Sequence, residues 1–148
     1  MAVLRPSHRF NHALKALTDL ALRQATGPVK VSAIARRQGI PVHSLEQLFN
    51  RLRRKGIVQA ERGPRGGYRL SRPAREIPLR AVFEVLQADG AGRRRRAAAG
   101  AQDAAWAVWR QVERAVHTTL EATTLETLAA RMREQAGSPI QHRYTFHI

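Results

Sequence analysis

The sequence predicts a mainly α-helical fold, in which a winged helix-turn-helix domain with a small β-hairpin wing precedes a long C-terminal dimerisation helix. Three observations predict this fold. Two amphipathic segments flank "GIP" at residues 39–41, which is the pattern of a helix-turn-helix. The glycine- and arginine-rich stretch "RGPRGGYRL", residues 62–70, follows them in the position of a hairpin. A later segment carries a separate apolar stripe at helical spacing.

The first two helices are predicted from apolar spacing and from their ends. Between His8 and Arg23, apolar residues recur three and four positions apart, which predicts an amphipathic helix. The tripeptide "TGP" at residues 26–28 ends that helix, because proline and glycine interrupt helical structure. Ser32 is predicted as the N-cap of a second helix, which Gly39 closes.

A third helix is predicted from Val42 to Lys55, with Gly56 ending it. Its apolar stripe consists of Leu45, Leu48, Phe49 and Leu52. That stripe leaves a polar open face, whose members are His43, Ser44, Glu46, Gln47, Asn50, Arg51 and Arg54. A second helix that presents hydrogen-bonding groups to solvent is typical of a DNA-recognition helix.

Two alternating segments, "IVQAE" at 57–61 and "GYRLS" at 67–71, predict the strands of the hairpin. The glycines of the connecting loop would allow its backbone to approach another surface, where a Cβ would clash. Arg62, Arg65 and Arg69 can pair with phosphates or enter a narrow minor groove. The alternative is an ordinary solvated hairpin, which the adjacent helix-turn-helix pattern disfavours.

The C-terminal half begins with a short helix, Leu79 to Ala88, and a low-complexity loop that contains Arg93, Arg94, Arg95 and Arg96. A long helix is predicted next, from Asp103 to Ala122. Its apolar seam is Ala105, Val108, Trp109, Val112, Ala115, Val116, Thr119 and Leu120. A helix of this kind needs a surface that buries the seam, and we expect a second copy of the chain to supply it.

A last helix, "LETLAARMRE", is expected after a cap at Thr123 or Thr124. The expected organisation is a winged-helix DNA-binding domain at 1–80 and a loop with dimerisation helices at 81–135. A tail without a clear pattern follows at 136–148, and we expect it to be flexible.

The charge of the chain indicates a polyanionic partner. The formal net charge is +15, from 26 basic and 11 acidic side chains. Residues 1–80 carry 17 basic and 4 acidic groups, a net of +13, whereas residues 81–148 carry 9 and 7. An arginine-rich proteome would spread the excess evenly, so the asymmetry favours binding of nucleic acid or an anionic membrane. Because no segment is apolar enough for a membrane span or a signal peptide, we expect a cytoplasmic, nucleoid-associated protein without a membrane partner.

Five segments together resemble the Rrf2 family of bacterial transcriptional regulators. They are "ALKALTDLAL", "IARRQGIPVHSLEQLFNRLRRKGIV", "RGPRGGYRLSRP", "EIPLRAV" and "VWRQVERAVHTTLEATTLETL", which lie between residues 9 and 130. The resemblance implies a homodimer, joined by the long helix, that binds a pseudo-palindromic operator in double-stranded DNA. The predicted function is therefore a sequence-specific DNA-binding transcriptional regulator, a repressor rather than an enzyme.

The resemblance also implies which residues touch DNA. On the recognition helix these are His43, Ser44, Glu46 and Gln47, to which the open face adds Arg51. On the wing they are Arg62, Gly63, Pro64, Arg65, Gly66 and Arg69, and before the first helix they are Ser7 and Arg9. Gln47 can pair with adenine through two hydrogen bonds, and Glu46 can accept one from the cytosine amino group. Where the family has glycine, this chain has Arg65, which suggests a stronger contact at the tip.

Many family members hold an iron–sulfur cluster with three cysteines in the loop before the long helix, and this chain departs from them. It contains no cysteine, and Ala91, Ala97 and Asp103 stand at the aligned positions. We therefore expect no cluster, because its thiolate ligands are absent. The chain is either a naturally cluster-free member or one whose cysteines were replaced. His8 and His12, four residues apart, lack a third ligand, so we expect no metal site.

The sequence leaves one alternative function open and disfavours two others. The alternative to direct repression is an interaction protein of the same fold, controlled by a protein partner or an anionic effector at Arg93–Arg96. Paired aromatic residues for RNA stacking are missing. The sequence also has no glycine-rich phosphate loop with lysine, no HExxH motif and no catalytic triad, which disfavours an enzyme.

Overall fold

The computed structural model describes residues 7–87 and 104–137. It confirms the predicted mainly helical architecture, with one two-stranded hairpin and long C-terminal helices. The elements are α1 (His8–Arg23), α2 (Val31–Gln38), α3 (Val42–Arg54), β1 (Val58–Glu61), β2 (Gly67–Leu70), α4 (Leu79–Gln87), α5 (Ala104–Ala122) and α6 (Leu125–Gly137). Short 3₁₀ turns lie at Gln24–Thr26 and Ala74–Glu76. The predicted Arg93–Arg96 loop lies outside the described residues. The tail predicted at 136–148 begins later than expected, because residues 136 and 137 belong to α6, and residues 138–148 lie outside the described residues.

Helix α1 forms the centre of the core. Its N-terminus is capped by Ser7, whose Oγ accepts a hydrogen bond of 3.2 Å from the backbone N–H of Phe10. Its apolar face is buried, because residues three and four apart lie on one side of a helix. The buried residues of α1 are Phe10, Ala13, Ala16, Leu17, Thr18, Asp19 and Leu20.

The start of α2 corrects the prediction that Ser32 is its N-cap. The helix begins at Val31, and the residue in the cap position is Lys30, whose side chain makes no capping bond. Val31 is buried, and its packing against the core makes it the first residue of the helix. The cap position is therefore two residues before Ser32. The predicted end is confirmed. Gly39 adopts the left-handed conformation, with φ of 64°, and its N–H bonds to the carbonyl of Ala35.

Helix α3 presents its predicted apolar stripe to the core. Leu45, Leu48, Phe49 and Leu52 are all buried. The ring of Phe49 contacts that of Tyr68 edge to face, with centroids 4.9 Å apart. This contact fixes α3 relative to the hairpin, because Tyr68 lies in β2.

The hairpin is antiparallel, with Val58 paired with Leu70 at its base and Glu61 paired with Gly67 near its tip. A second backbone contact holds β2 from the other side. Val29 and Tyr68 exchange two hydrogen bonds, of 2.9 and 2.8 Å, so the segment before α2 pairs with the wing. The wing is therefore attached to both the start and the end of the helix-turn-helix.

We expect Gly67→Ala to destabilise the wing. A Cβ at Gly67 would lie 2.5 Å from the carbonyl carbon and oxygen of Val29, which the bridge to Tyr68 holds in place. The backbone would have to move, at a cost of about 1–3 kcal/mol in the free energy of unfolding. Denaturant unfolding measures the change. Gly137→Ala is the matched control, because a Cβ there meets no atom within 4 Å, and an equal effect of both changes would contradict the expectation.

Helix α6 returns to the N-terminal helices. The backbone N–H groups of Leu79 and Leu125 bond to the carbonyls of Thr123 and Ile77, at 2.8 and 2.9 Å. Of the two predicted caps, Thr124 is the one used, since its Oγ1 accepts from the N–H of Thr127. Leu125 and Ala129 are buried, and α6 packs against α1.

One buried acid links α1 to the end of α2. Asp19, whose side chain is 4% exposed, accepts hydrogen bonds from Arg37 at 2.6 and 3.0 Å and from Gln38 at 3.2 Å. Arg23 lies further away, at 3.5 Å. Burial by itself would raise the pKa of Asp19, but the hydrogen bonds and the positive charge of Arg37, helped by Gln38 and Arg23, hold it below its usual value. Asp19 is therefore ionised at neutral pH.

Candidate nucleic-acid interface

The exposed side of α3 carries the predicted recognition residues. His43, Ser44, Glu46 and Gln47 are all exposed in the first two turns. They point away from the core because the stripe that begins at Leu45 occupies the opposite side of the helix. The structure thus brings these four side chains together at the N-terminal end of α3, the end with which a recognition helix contacts base edges.

Two of these side chains contact each other. Gln47 Nε2 lies 3.1 Å from His43 Nε2, one helical turn away. Both residues are predicted from the sequence as separate base contacts, and the bond between them was not expected. The spacing of the two residues could have predicted the bond, because polar residues at i and i+4 are neighbours on a helix surface.

Asn50 and Arg54 continue the same surface, although they were not among the predicted DNA contacts. Both are exposed, and they lie three and seven positions beyond Gln47, which places them on one line along the helix. Arg51, Arg53 and Arg54 lie in the last turn of α3. Cations at this end interact favourably with the negative end of the helix dipole, and they can also bind a nearby phosphate backbone.

The wing tip exposes the residues that the sequence indicated. Arg62, Gly63, Pro64 and Arg65 are all exposed, between the ends of β1 and β2. The tip is a tight turn, closed by a 2.9 Å hydrogen bond from the N–H of Gly66 to the carbonyl of Gly63. A side chain at Gly66 would collide with the carbonyl oxygen of Glu61. This glycine is therefore required inside the hairpin itself, whatever surface the tip approaches.

Arg69 occupies a different position from the other wing arginines. It lies within β2, and its Nε is 2.5 Å from Oε1 of Glu61, a diagonal neighbour across the hairpin. Both side chains are partly exposed, at 37% and 41%. Glu61 thus balances part of the charge of Arg69 within the wing. Contact between Arg69 and DNA stays a prediction.

Ser7 and Arg9 lie at the N-terminus of α1. Ser7 already accepts the capping bond from Phe10, so its hydroxyl has a structural role. Arg9 was predicted to lie before the first helix, but it is the second residue of α1 and is exposed there. Contact of either residue with a DNA backbone remains a prediction from the resemblance.

The predicted dimerisation seam lies on α5. None of the described residues 104–122 in this helix is buried, and Val108 and Trp109 are 60% and 61% exposed. Val112 and Val116 are partly buried. Leu120 packs against the core of the same chain, which it joins as a partly buried member. On the side of α5 that faces α4, the ring of His117 contacts that of Phe83, with ring centroids 6.0 Å apart.

The described residues offer neither a membrane span nor a metal site. Across 7–87 and 104–137, no helix combines the length and the hydropathy that a bilayer crossing requires. Within the same ranges, His, Asp and Glu residues form no group of three that could hold a metal ion. The rings of His8 and His12 are 6.4 Å apart and tilted.

A helix-turn-helix whose second helix exposes polar groups, next to an arginine-bearing hairpin in the basic half of the chain, defines a winged helix-turn-helix DNA-binding protein. A model of the Rrf2 family, described as "Iron-dependent Transcriptional regulator", matches residues 6–131. The chain belongs to the Rrf2 family of helix-turn-helix transcriptional regulators, and it is not an enzyme.

Individual relatives agree with this assignment. The HTH-type transcriptional regulator IscR of Photorhabdus laumondii is 36% identical over 129 residues, which cover 84% of this chain and 79% of the relative. The structure of T. potens IscR is 29% identical, with a TM-score of 0.77, and covers 96% of this chain and 97% of its own. CymR, described as the global cysteine regulator of B. subtilis, is 29% identical, with a TM-score of 0.72 and coverage of 87% and 98%.

The residues of this chain do not fit the iron–sulfur cluster that cysteines hold in many members of the family. The complete sequence has no cysteine, so no thiolate can ligate iron. The aligned loop positions Ala91, Ala97 and Asp103 lie outside the described residues. The function proposed below therefore involves no cluster.

Proposed function

We propose that the protein is a homodimeric repressor that occupies a pseudo-palindromic operator in double-stranded DNA. One observation carries the proposal. The exposed N-terminal face of α3 and the arginine-bearing wing tip belong to the half of the chain with a net charge of +13. A polyanion is attracted to such a surface, and the hydrogen-bonding side chains can select its sequence.

In this proposal, residues 1–80 form the DNA-binding part. Helix α3 enters the major groove, where Gln47 pairs with adenine and Glu46 accepts from cytosine. Glu46 also repels phosphate, so it favours a correct site over a wrong one without adding general affinity. Arg62 and Arg65 at the wing tip contact the backbone or the adjacent minor groove, where negative potential is concentrated.

Residues 81–135 bring two copies together. The exposed apolar side chains of Val108 and Trp109 support this part, because an apolar seam on a solvated helix gains free energy when a second copy covers it. The two identical DNA-binding domains then face two half-sites that are related by the same twofold axis. Repression follows from occupancy of a promoter in the cytoplasm and needs no chemical step. An effector or partner at Arg93–Arg96 would act on this equilibrium.

Selection of bound sequences from a pool of random duplex DNA tests the proposal. We expect recovery of one motif with inverted half-sites centred about 10 base pairs, or a multiple of that, apart. Such a result would give the operator, the spacing and the symmetry together. Recovery of no enriched duplex at moderate ionic strength, with or without cell extract to supply a missing effector, would overturn it.

We expect Arg62→Ala to weaken operator binding by roughly 10-fold, with a salt dependence of log K that is flatter by about one unit per protomer. Arg62 is exposed at the wing tip, where its guanidinium can neutralise a phosphate. Fluorescence anisotropy at several salt concentrations measures both quantities. Arg133→Ala on α6 is the control, since it removes the same charge from an exposed position outside the wing. Equal effects of the two changes would remove the wing from the mechanism.

A further inference from the structure

The contact between His43 and Gln47 constrains which hydrogen-bonding groups face the DNA. Their Nε2 atoms are 3.1 Å apart, and both side chains are exposed on the N-terminal face of α3. A carboxamide nitrogen carries two hydrogens and cannot accept, so Gln47 is the donor in this bond. His43 Nε2 is then the acceptor.

The bond leaves a defined pair of groups on Gln47. One amide hydrogen is used by His43, and the carbonyl Oε1 and the second hydrogen remain. An acceptor beside a donor complements adenine in the major groove, whose N6 donates and whose N7 accepts. If the amide were turned over, Oε1 would face His43 and two donors would face the base. Two donors complement guanine, whose O6 and N7 both accept.

We propose that His43 is a positioning residue that fixes the Gln47 amide so that the protein selects adenine over guanine at one position of each half-site. His43 acts through Gln47 and does not itself need to touch a base. This inference rests on the proposed function and specifies which base one pair of side chains reads. It also predicts that base preference changes with the hydrogen-bonding character of residue 43, and not with its size.

Three substitutions at position 43 separate these effects. His43→Glu leaves an acceptor without a donor, so Gln47 should keep its orientation and the adenine preference should persist despite weaker overall binding. His43→Lys leaves a donor without an acceptor, so Oε1 should turn towards it and the preference should move towards guanine. His43→Ala removes the constraint and should lower the preference.

The experiment measures binding of each variant to operator duplexes with adenine or guanine at every position of the selected half-site. We expect the wild type to prefer adenine about 10-fold or more at one position, since a good bidentate pair gives that order of discrimination. The preference should fall to about 3-fold or less in His43→Ala and should reverse in His43→Lys. Adding Gln47→Ala to each variant should abolish the differences between them, because the effect runs through that amide.

Controls separate this inference from the proposed function. Both side chains are exposed, so the variants should fold, and thermal unfolding confirms it. Arg133→Ala on α6, outside the recognition helix and the wing, should leave the adenine preference at the chosen position unchanged. An adenine preference equal in the wild type, His43→Ala and His43→Lys would overturn the inference while operator binding stood. A wild-type protein that selected no duplex would overturn both.

Discussion

Trp109→Glu is expected to convert the protein into a monomer and to lower its affinity for a two-half-site operator by about 100-fold or more. Trp109 is 61% exposed on a helix in which none of the described residues 104–122 is buried. A charge in the centre of a seam that two copies share would be desolvated without a partner. Loss of the dimer removes the second DNA-binding domain, so the gain in affinity from binding both half-sites at once is lost.

Sedimentation velocity measures the first part of this expectation, and anisotropy with one-site and two-site duplexes measures the second. Affinity for a single half-site should change little, because α3 and the wing are distant in sequence from position 109. Thr118→Glu is the matched control. It adds the same charge to an exposed position of the same helix, on the side opposite Trp109. An unchanged size of Trp109→Glu in solution would show that this seam does not join two copies.

Asp19→Asn is expected to lower the free energy of unfolding by about 2–3 kcal/mol, the range for a charged hydrogen-bonded group whose partners stay in place. Asp19 is 4% exposed and receives both bonds of Arg37, whose side chain is 30% exposed. The amide of asparagine would turn a donor towards the guanidinium and lose the ionic part of the interaction. Chemical denaturation of the two proteins at pH 7 measures the difference.

The stability difference should depend on pH in one direction. The pKa of Asp19 is lower in the folded protein than in the unfolded chain, so its contribution is fully present above the unfolded pKa, near 4. It is lost as pH falls through the folded pKa, where the carboxylate takes up a proton. The gap between wild type and Asp19→Asn should therefore be constant from pH 7 to about pH 5 and should narrow below about pH 4.

The two arginines around Asp19 provide the control. Arg37→Gln should destabilise the protein clearly, whereas Arg23→Gln should cost less than about 1 kcal/mol. Arg23 is 50% exposed and 3.5 Å away, so solvent screens its attraction. Equal losses from the two substitutions would show that this cluster does not act through the bidentate Arg37 pair.

Helix bounds were largely predictable because they depend on local spacing. The predicted range of α1 is confirmed, and α3 ends one residue before its predicted end. The described part of α5, Ala104–Ala122, lies within its predicted range. The cap of α2 was the error. Ser32 has the chemistry of a cap, but the buried side chain of Val31 determines where the helix begins. Packing of one residue outweighed a local hydrogen-bonding preference.

The open face of α3 was also predictable, because four buried side chains define the opposite side of a helix. What spacing does not encode is how the exposed side chains pair. Glu61 pairs diagonally with Arg69 across the hairpin, and this depends on strand register. Gln47 turns towards His43, which depends on rotamers as well as on i,i+4 spacing.

The sequence by itself determined the helices, the hairpin, the concentration of positive charge in the first 80 residues and the absence of thiolate ligands. Each of these follows from composition or from periodicity over a few residues. Only the tertiary structure decided that α6 packs against α1 and that Asp19 binds Arg37 eighteen residues away. The physical reason is that long-range partners are selected by how whole helices dock, and docking sums many weak contacts that no local pattern specifies.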